Sequence, residues 1–67
     1  MINVVLNGEK KTLEDQCSVE KLLKNFVKQA DNCIVEINRM IIGRDFYATT
    51  MIKDGDKIEL VRFIGGG

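Results

Sequence analysis

Lys57-Ile58-Glu59-Leu60-Val61-Arg62-Phe63-Ile64 is apolar on both faces of a period-two pattern, with Ile58 and Leu60 on one side and Val61 and Phe63 on the other. Such a strand suits the middle of a sheet, or a place where its outer face is an exposed docking patch. Gly65-Gly66-Gly67 follows at once. Three glycines in a row neither hold a fixed shape nor pack a core, because a residue without Cβ visits both halves of φ space. They do thread a narrow channel, reaching roughly 10 Å beyond the strand when extended. That reach brings a terminal carboxylate into another protein's active site while the folded body stays outside. A carboxylate becomes a usable electrophile when ATP converts it to an acyl adenylate, from which a sulfur or nitrogen nucleophile displaces AMP. The competing reading is a frayed or appended end, since glycine-rich termini are common and usually without structure.

Upstream of the strand, Asp54-Gly55-Asp56 predicts a turn, with glycine at positive φ and aspartates accepting backbone N–H groups. The longer oxygen ligand set of a calcium loop is missing. Arg44 to Thr50 has no clear period and predicts one irregular helical turn, with the rings of Phe46 and Tyr47 as satellite core. Met40 to Ile42 is a short strand ended by Gly43, and Asn38-Arg39 is a tight turn joining it to Cys33–Ile37. In that strand Cys33, Val35 and Ile37 share one face, Ile34 and Glu36 the other.

Val19, Leu22, Leu23, Phe26, Val27 and Ala30 recur at helical spacing, predicting about three turns with one apolar face toward the core. Ser18 suits the N-cap, Glu20 the first turn, and Asp31-Asn32 the end. At the N-terminus Ile2, Val4 and Leu6 alternate with Asn3 and Val5, and Asn7-Gly8 is the strongest short hairpin signal. Glu9 to Leu13 returns as a polar edge strand guarded by Lys10 and Lys11. Glu14 to Cys17 reads as a connector.

Sixty-seven residues make one small domain with little room for an enclosed cleft, so an enzyme with its own substrate pocket is not expected. Ten basic and ten acidic residues cancel, and the basic ones are scattered, which argues against nucleic acid and acidic membrane surfaces as partners. No apolar stretch has the length of a membrane span and no signal peptide is evident, so the expected setting is the cytosol. With no histidine, Cys17 and Cys33 lack the companions for a zinc site or a Cys-His pair, and both predict packing or surface roles.

Strand, strand, helix, strand, short strand, strand sets two antiparallel hairpins around one helix. The economical arrangement is a two-layer α+β domain with the helix across a mixed sheet of about five strands and the first strand beside the last at its centre. That is the β-grasp, or ubiquitin-like, architecture, spanning residues 1–64 with a flexible glycine tail at 65–67.

Over nearly its whole length the chain resembles the ThiS-type sulfur carriers of thiamine biosynthesis. The resemblance rests on Asn7-Gly8, on Val19-Glu20-Lys21-Leu22-Leu23, on Val35-Glu36-Ile37-Asn38 running to Ile41-Ile42-Gly43-Arg44, on Asp54-Gly55-Asp56-Lys57-Ile58-Glu59, and on the closing glycines. Gly43 departs from it, because the family often has proline there, which leaves the local loop shape open. The resemblance implies that a ThiF-type adenylating enzyme uses ATP and magnesium to form the Gly67 acyl adenylate. A persulfide donor then supplies the sulfur of a Gly67 thiocarboxylate, which serves thiazole synthase. The chain itself is expected to bind no cofactor and to be a co-substrate rather than an enzyme. Gly65 and Gly66 would present the tail, and Val61, Phe63 and Val5 would form a docking surface with Arg62 as a rim charge. Against that patch stands the reading of the same residues as inner-face packing and of Arg62 as solvated. The same fold and tail also serve molybdopterin synthesis, cysteine synthesis and tRNA thiolation, and a plain β-grasp interaction module would have incidental glycines.

Overall fold

The computed structural model describes residues 1–26 and 33–62, the side chains of Phe26 and Arg62 excepted. The chain runs β1 (Ile2–Leu6), β2 (Glu9–Leu13), β3 (Cys17–Ser18), α1 (Val19–Phe26), β4 (Cys33–Ile37), β5 (Met40–Ile42), a 3-10 turn (Arg44–Phe46), β6 (Met51–Ile52) and β7 (Lys57–Arg62). In β1 the alternation places Ile2, Val4 and Leu6 in the core. Asn7 at φ 50° and Gly8 at φ 82° then reverse the chain. Two successive positive φ values give the turn a twist that matches the strands it joins, which is why Asn-Gly is selected there. β2 returns antiparallel in the register Leu6↔Glu9 to Ile2↔Leu13.

The hydroxyl oxygen of Ser18 accepts the N–H of Lys21 at 3.1 Å and caps α1. Glu20 lies in the first turn, 3.4 Å from the ammonium of Lys24 one turn on. Val19, Leu22 and Leu23 are at most 2% exposed and join Ile2, Val4, Leu6, Val35, Ile37, Ile52 and Ile58 in one cluster between helix and sheet. Each such side chain stabilises the fold by about 1.5–3 kcal/mol through burial. Val27, Ala30 and the expected helix end at Asp31-Asn32 lie outside the described residues.

The main sheet has the order β2-β1-β7-β4-β5. β1 and β7 are parallel and the other neighbours antiparallel, so the sheet is mixed and the first and last strands meet at its centre. With one helix across it, this is the β-grasp architecture. Asn38 at φ 51° and Arg39 at φ 69° form the second tight turn, between β4 and β5.

Two expectations need correction. The connector at Glu14 to Cys17 gives way at its end to a strand: Cys17 pairs with Ile52 and Ser18 with Met51, and this small second sheet closes the base of the helix. Phe46 is no part of the core, being 62% exposed, whereas Tyr47 packs against the core and its hydroxyl donates to the Cys33 carbonyl at 3.3 Å. A 3-10 turn advances about a third of a circle per residue, so two adjacent rings leave it in different directions. Gly43, at φ −70° and ψ 149°, holds the backbone shape that a proline would take.

Candidate functional site

Everything that reaches the glycines passes through β7, and three segments hold that strand. On one side it runs parallel to β1 in the register Val5↔Lys57 and Leu6↔Ile58. On the other it runs antiparallel to β4 from Ile37↔Ile58 to Cys33↔Arg62. The third hold comes from the two tight turns, whose asparagine side chains stand in for missing strand partners. The N–H of Asn38 donates to the Lys57 carbonyl at 2.8 Å while its Oδ1 accepts the Lys57 N–H at 3.0 Å. The N–H of Asn7 donates to the Ile58 carbonyl at 2.9 Å while its Oδ1 accepts the Leu60 N–H at 2.8 Å.

Pleating sorts the side chains. Ile58 is buried and Leu60 packs at the core margin, whereas Lys57, Glu59 and Val61 face away from the helix. Val61, 44% exposed, lies opposite the half-buried Ile34. Glu59 lies opposite Glu36, and Val5 is level with Lys57. The outer face is therefore an apolar pair at the Arg62 end followed by two carboxylates abreast. Like charges directly opposite repel, and among the described residues neither glutamate has an ion-pair partner. A shallow concavity of about 460 Å³ lined by Glu36, Asn38, Arg39, Lys57 and Glu59 completes this end of the sheet.

Val61 thus sits on the expected outward face. Val5 shares that face but is not brought beside it: four residues of strand separate their levels, roughly 13 Å. Arg62 ends β7 opposite Cys33, with its side chain outside the described residues. Phe63 and Gly65, Gly66 and Gly67 also lie outside them. Ile34 and Glu36, which the sequence assigned to this outer face, belong to the surface beside Val61 and Glu59. Ile41, 71% exposed and opposite Glu36, extends it, and strand alternation alone was the signal for it.

Among the described residues no group of three or more histidine, cysteine or carboxylate side chains is placed to hold a metal ion. Cys33 is buried and Cys17 half-buried, in keeping with packing roles. No described helix is long and apolar enough to cross a membrane. The described outer face carries Ile34, Ile41 and Val61 beside the carboxylates of Glu36 and Glu59.

The family model described as the ThiS family matches residues 4–67. The chain is similar to the sulfur carrier protein ThiS of Bacillus subtilis, 38% identical over 63 residues, covering 92% of this chain and 96% of that protein. It is also 38% identical over 66 residues to a thiazole synthase of Paramagnetospirillum magneticum, but there it spans only 20% of the relative's length. Among solved structures, the crystal structure of a thiamine biosynthesis protein (ThiS) from Geobacter metallireducens superposes with a TM-score of 0.88 at 35% identity, covering 98% of this chain and 100% of that one.

Proposed function

The chain belongs to the ThiS family, and from that membership we propose that it is a sulfur carrier of thiamine biosynthesis, a co-substrate whose reacting group is the carboxyl of Gly67. A ThiF-type enzyme, holding ATP and magnesium, joins the Gly67 carboxylate to the α-phosphorus and releases pyrophosphate. The terminal sulfur of a persulfide donor attacks the carbonyl carbon and AMP leaves. A thiol then cleaves the remaining S–S bond, taking the donor sulfur into a disulfide and leaving a thiocarboxylate on Gly67. Thiazole synthase accepts that sulfur. The setting is the cytoplasm, where ATP and thiols are at hand.

The observation that carries this reading is the alignment with the Bacillus sulfur carrier over 96% of its length, together with a family match that runs to Gly67. The thiazole synthase partner draws support from relatives in which a stretch like this chain forms part of a longer polypeptide named thiazole synthase. Carrier and acceptor on one chain meet at high effective concentration, an arrangement that suits successive partners. The fold agrees as well. Glycine at the reacting position leaves the carbonyl uncrowded for each displacement.

The test is intact mass. Incubation with the adenylating enzyme, ATP, magnesium and a persulfide donor is expected to add the mass difference between sulfur and oxygen, localised to the C-terminal peptide. An unchanged mass, under conditions that modify the Bacillus carrier, overturns the proposal.

A further inference from the structure

Asn7-Gly8 carries a reactivity of its own as well as a turn. Asparagine is one of the chemically labile side chains, and a glycine after it has no Cβ to crowd the approach of its nitrogen to the carboxamide. The Gly8 nitrogen attacks the Asn7 side-chain carbonyl carbon, its own proton passes to solvent, and the carboxamide nitrogen leaves as ammonia. A five-membered imide remains. Water then opens the imide at one carbonyl or the other, giving aspartate or isoaspartate at position 7 with no oxidant or reductant involved. Both residues are exposed, and the space around Gly8 is open, so water has free access.

The folded backbone stands in the way. Asn7 has φ 50°, and the left-handed region pairs such a value with ψ of about +47°. Rotated so, the Gly8 nitrogen lies nearly anti to the Asn7 Cβ, whereas ring closure needs the two nearly eclipsed. β7 fixes Asn7 in this state from both ends: its N–H donates to the Ile58 carbonyl at 2.9 Å and its Oδ1 accepts the Leu60 N–H at 2.8 Å. Turning the Cα–C bond toward closure carries Gly8 out of the turn that sets Leu6 opposite Glu9. The Leu60 N–H also draws electron density from the carboxamide and so favours attack. That help is worth about tenfold, against the several powers of ten that orientation of reacting groups commands.

We propose that Asn7 is a deamidation site gated by β7, closed while the strand is docked and open whenever it is released. The two products then part company. Aspartate keeps the main chain, tolerates positive φ and retains an oxygen for the Leu60 N–H. Isoaspartate routes the main chain through the side chain and adds an atom to a two-residue turn whose geometry is matched to its strands. A chain that has stood open thus acquires a mark that disfavours its closing again.

The natural chain is incubated at mildly alkaline pH, folded in buffer or unfolded in guanidinium chloride, and the peptide holding residue 7 is followed by mass spectrometry. Deamidation is expected to be at least about tenfold slower in the folded chain, and to rise at low denaturant with the slope of hydrogen exchange at the Leu60 amide. A smaller difference, or a rate that stays flat while the Leu60 amide opens, overturns the inference. The products are tested on chains ligated at Cys33 that carry either isoaspartate at position 7 or Asn7→Asp. Asn7→Asp is expected to unfold close to the natural midpoint, and the isoaspartyl chain at a lower denaturant concentration or not to fold at all. An isoaspartyl chain as stable as the natural one, or an Asn7→Asp chain that fails to fold, also overturns it.

Discussion

Asn7 does two jobs that separate on substitution. Its φ of 50° shapes the hairpin, and its Oδ1 holds the Leu60 N–H. Glycine tolerates the backbone but lacks the acceptor, whereas valine loses both. Asn7→Gly is therefore expected to cost about 1 kcal/mol, and Asn7→Val about 1–2 kcal/mol more, measured by urea denaturation. Gly43 offers the opposite case. Its φ of −70° already fits proline, and a Cβ there would meet only the Phe46 ring at 3.6 Å, an ordinary contact. Gly43→Pro is expected to stabilise by about 0.4–1 kcal/mol through the unfolded chain, read as a higher urea midpoint at constant slope. Glu36 and Glu59 add a third. Glu36→Lys replaces a cross-strand repulsion by an attraction and is expected to raise stability by about 0.5 kcal/mol, a gain that shrinks as salt is added.

Among the elements, α1 supplies three of the most deeply buried core side chains. Eight residues place Val19, Leu22 and Leu23 against the sheet, and Leu22 is 1% exposed. Leu22→Ala is expected to cost about 2–5 kcal/mol, enough to leave so small a domain largely unfolded by circular dichroism at room temperature. The helix, the hairpins and the central strand were legible because each rests on a rule local in sequence: a helical period, a period of two, or Asn-Gly at positive φ. β3 and β6 were not, since a two-residue strand has no period to display. Phe46 misled because the 3-10 turn is too short to show which of two neighbouring rings faces inward. The hold of Asn7 on Leu60 joins residues 53 apart, and nothing near either residue announces it. Alternation put Val61 on the outer face of β7, where it is 44% exposed, but Val5 was joined to it on face alone, without the register that separates them.

For the whole molecule, body and tail are expected to be separable. Removing Gly66 and Gly67 should leave the thermal unfolding midpoint within about 2 °C of the full chain, because glycine has no side chain to contribute to the core. The same deletion should abolish the mass gain. A coupled loss of stability and modification would mean that the tail is part of the fold. The strand order β2-β1-β7-β4-β5 has one further consequence. Within the sheet the two hairpins, β1–β2 and β4–β5, share no rung with each other and are joined through β7, the last of the described strands. On the ribosome the keystone is thus made after both flanks. A nascent polypeptide whose β7 is still in the exit tunnel has the strands of both hairpins but not the one that joins them into a single sheet.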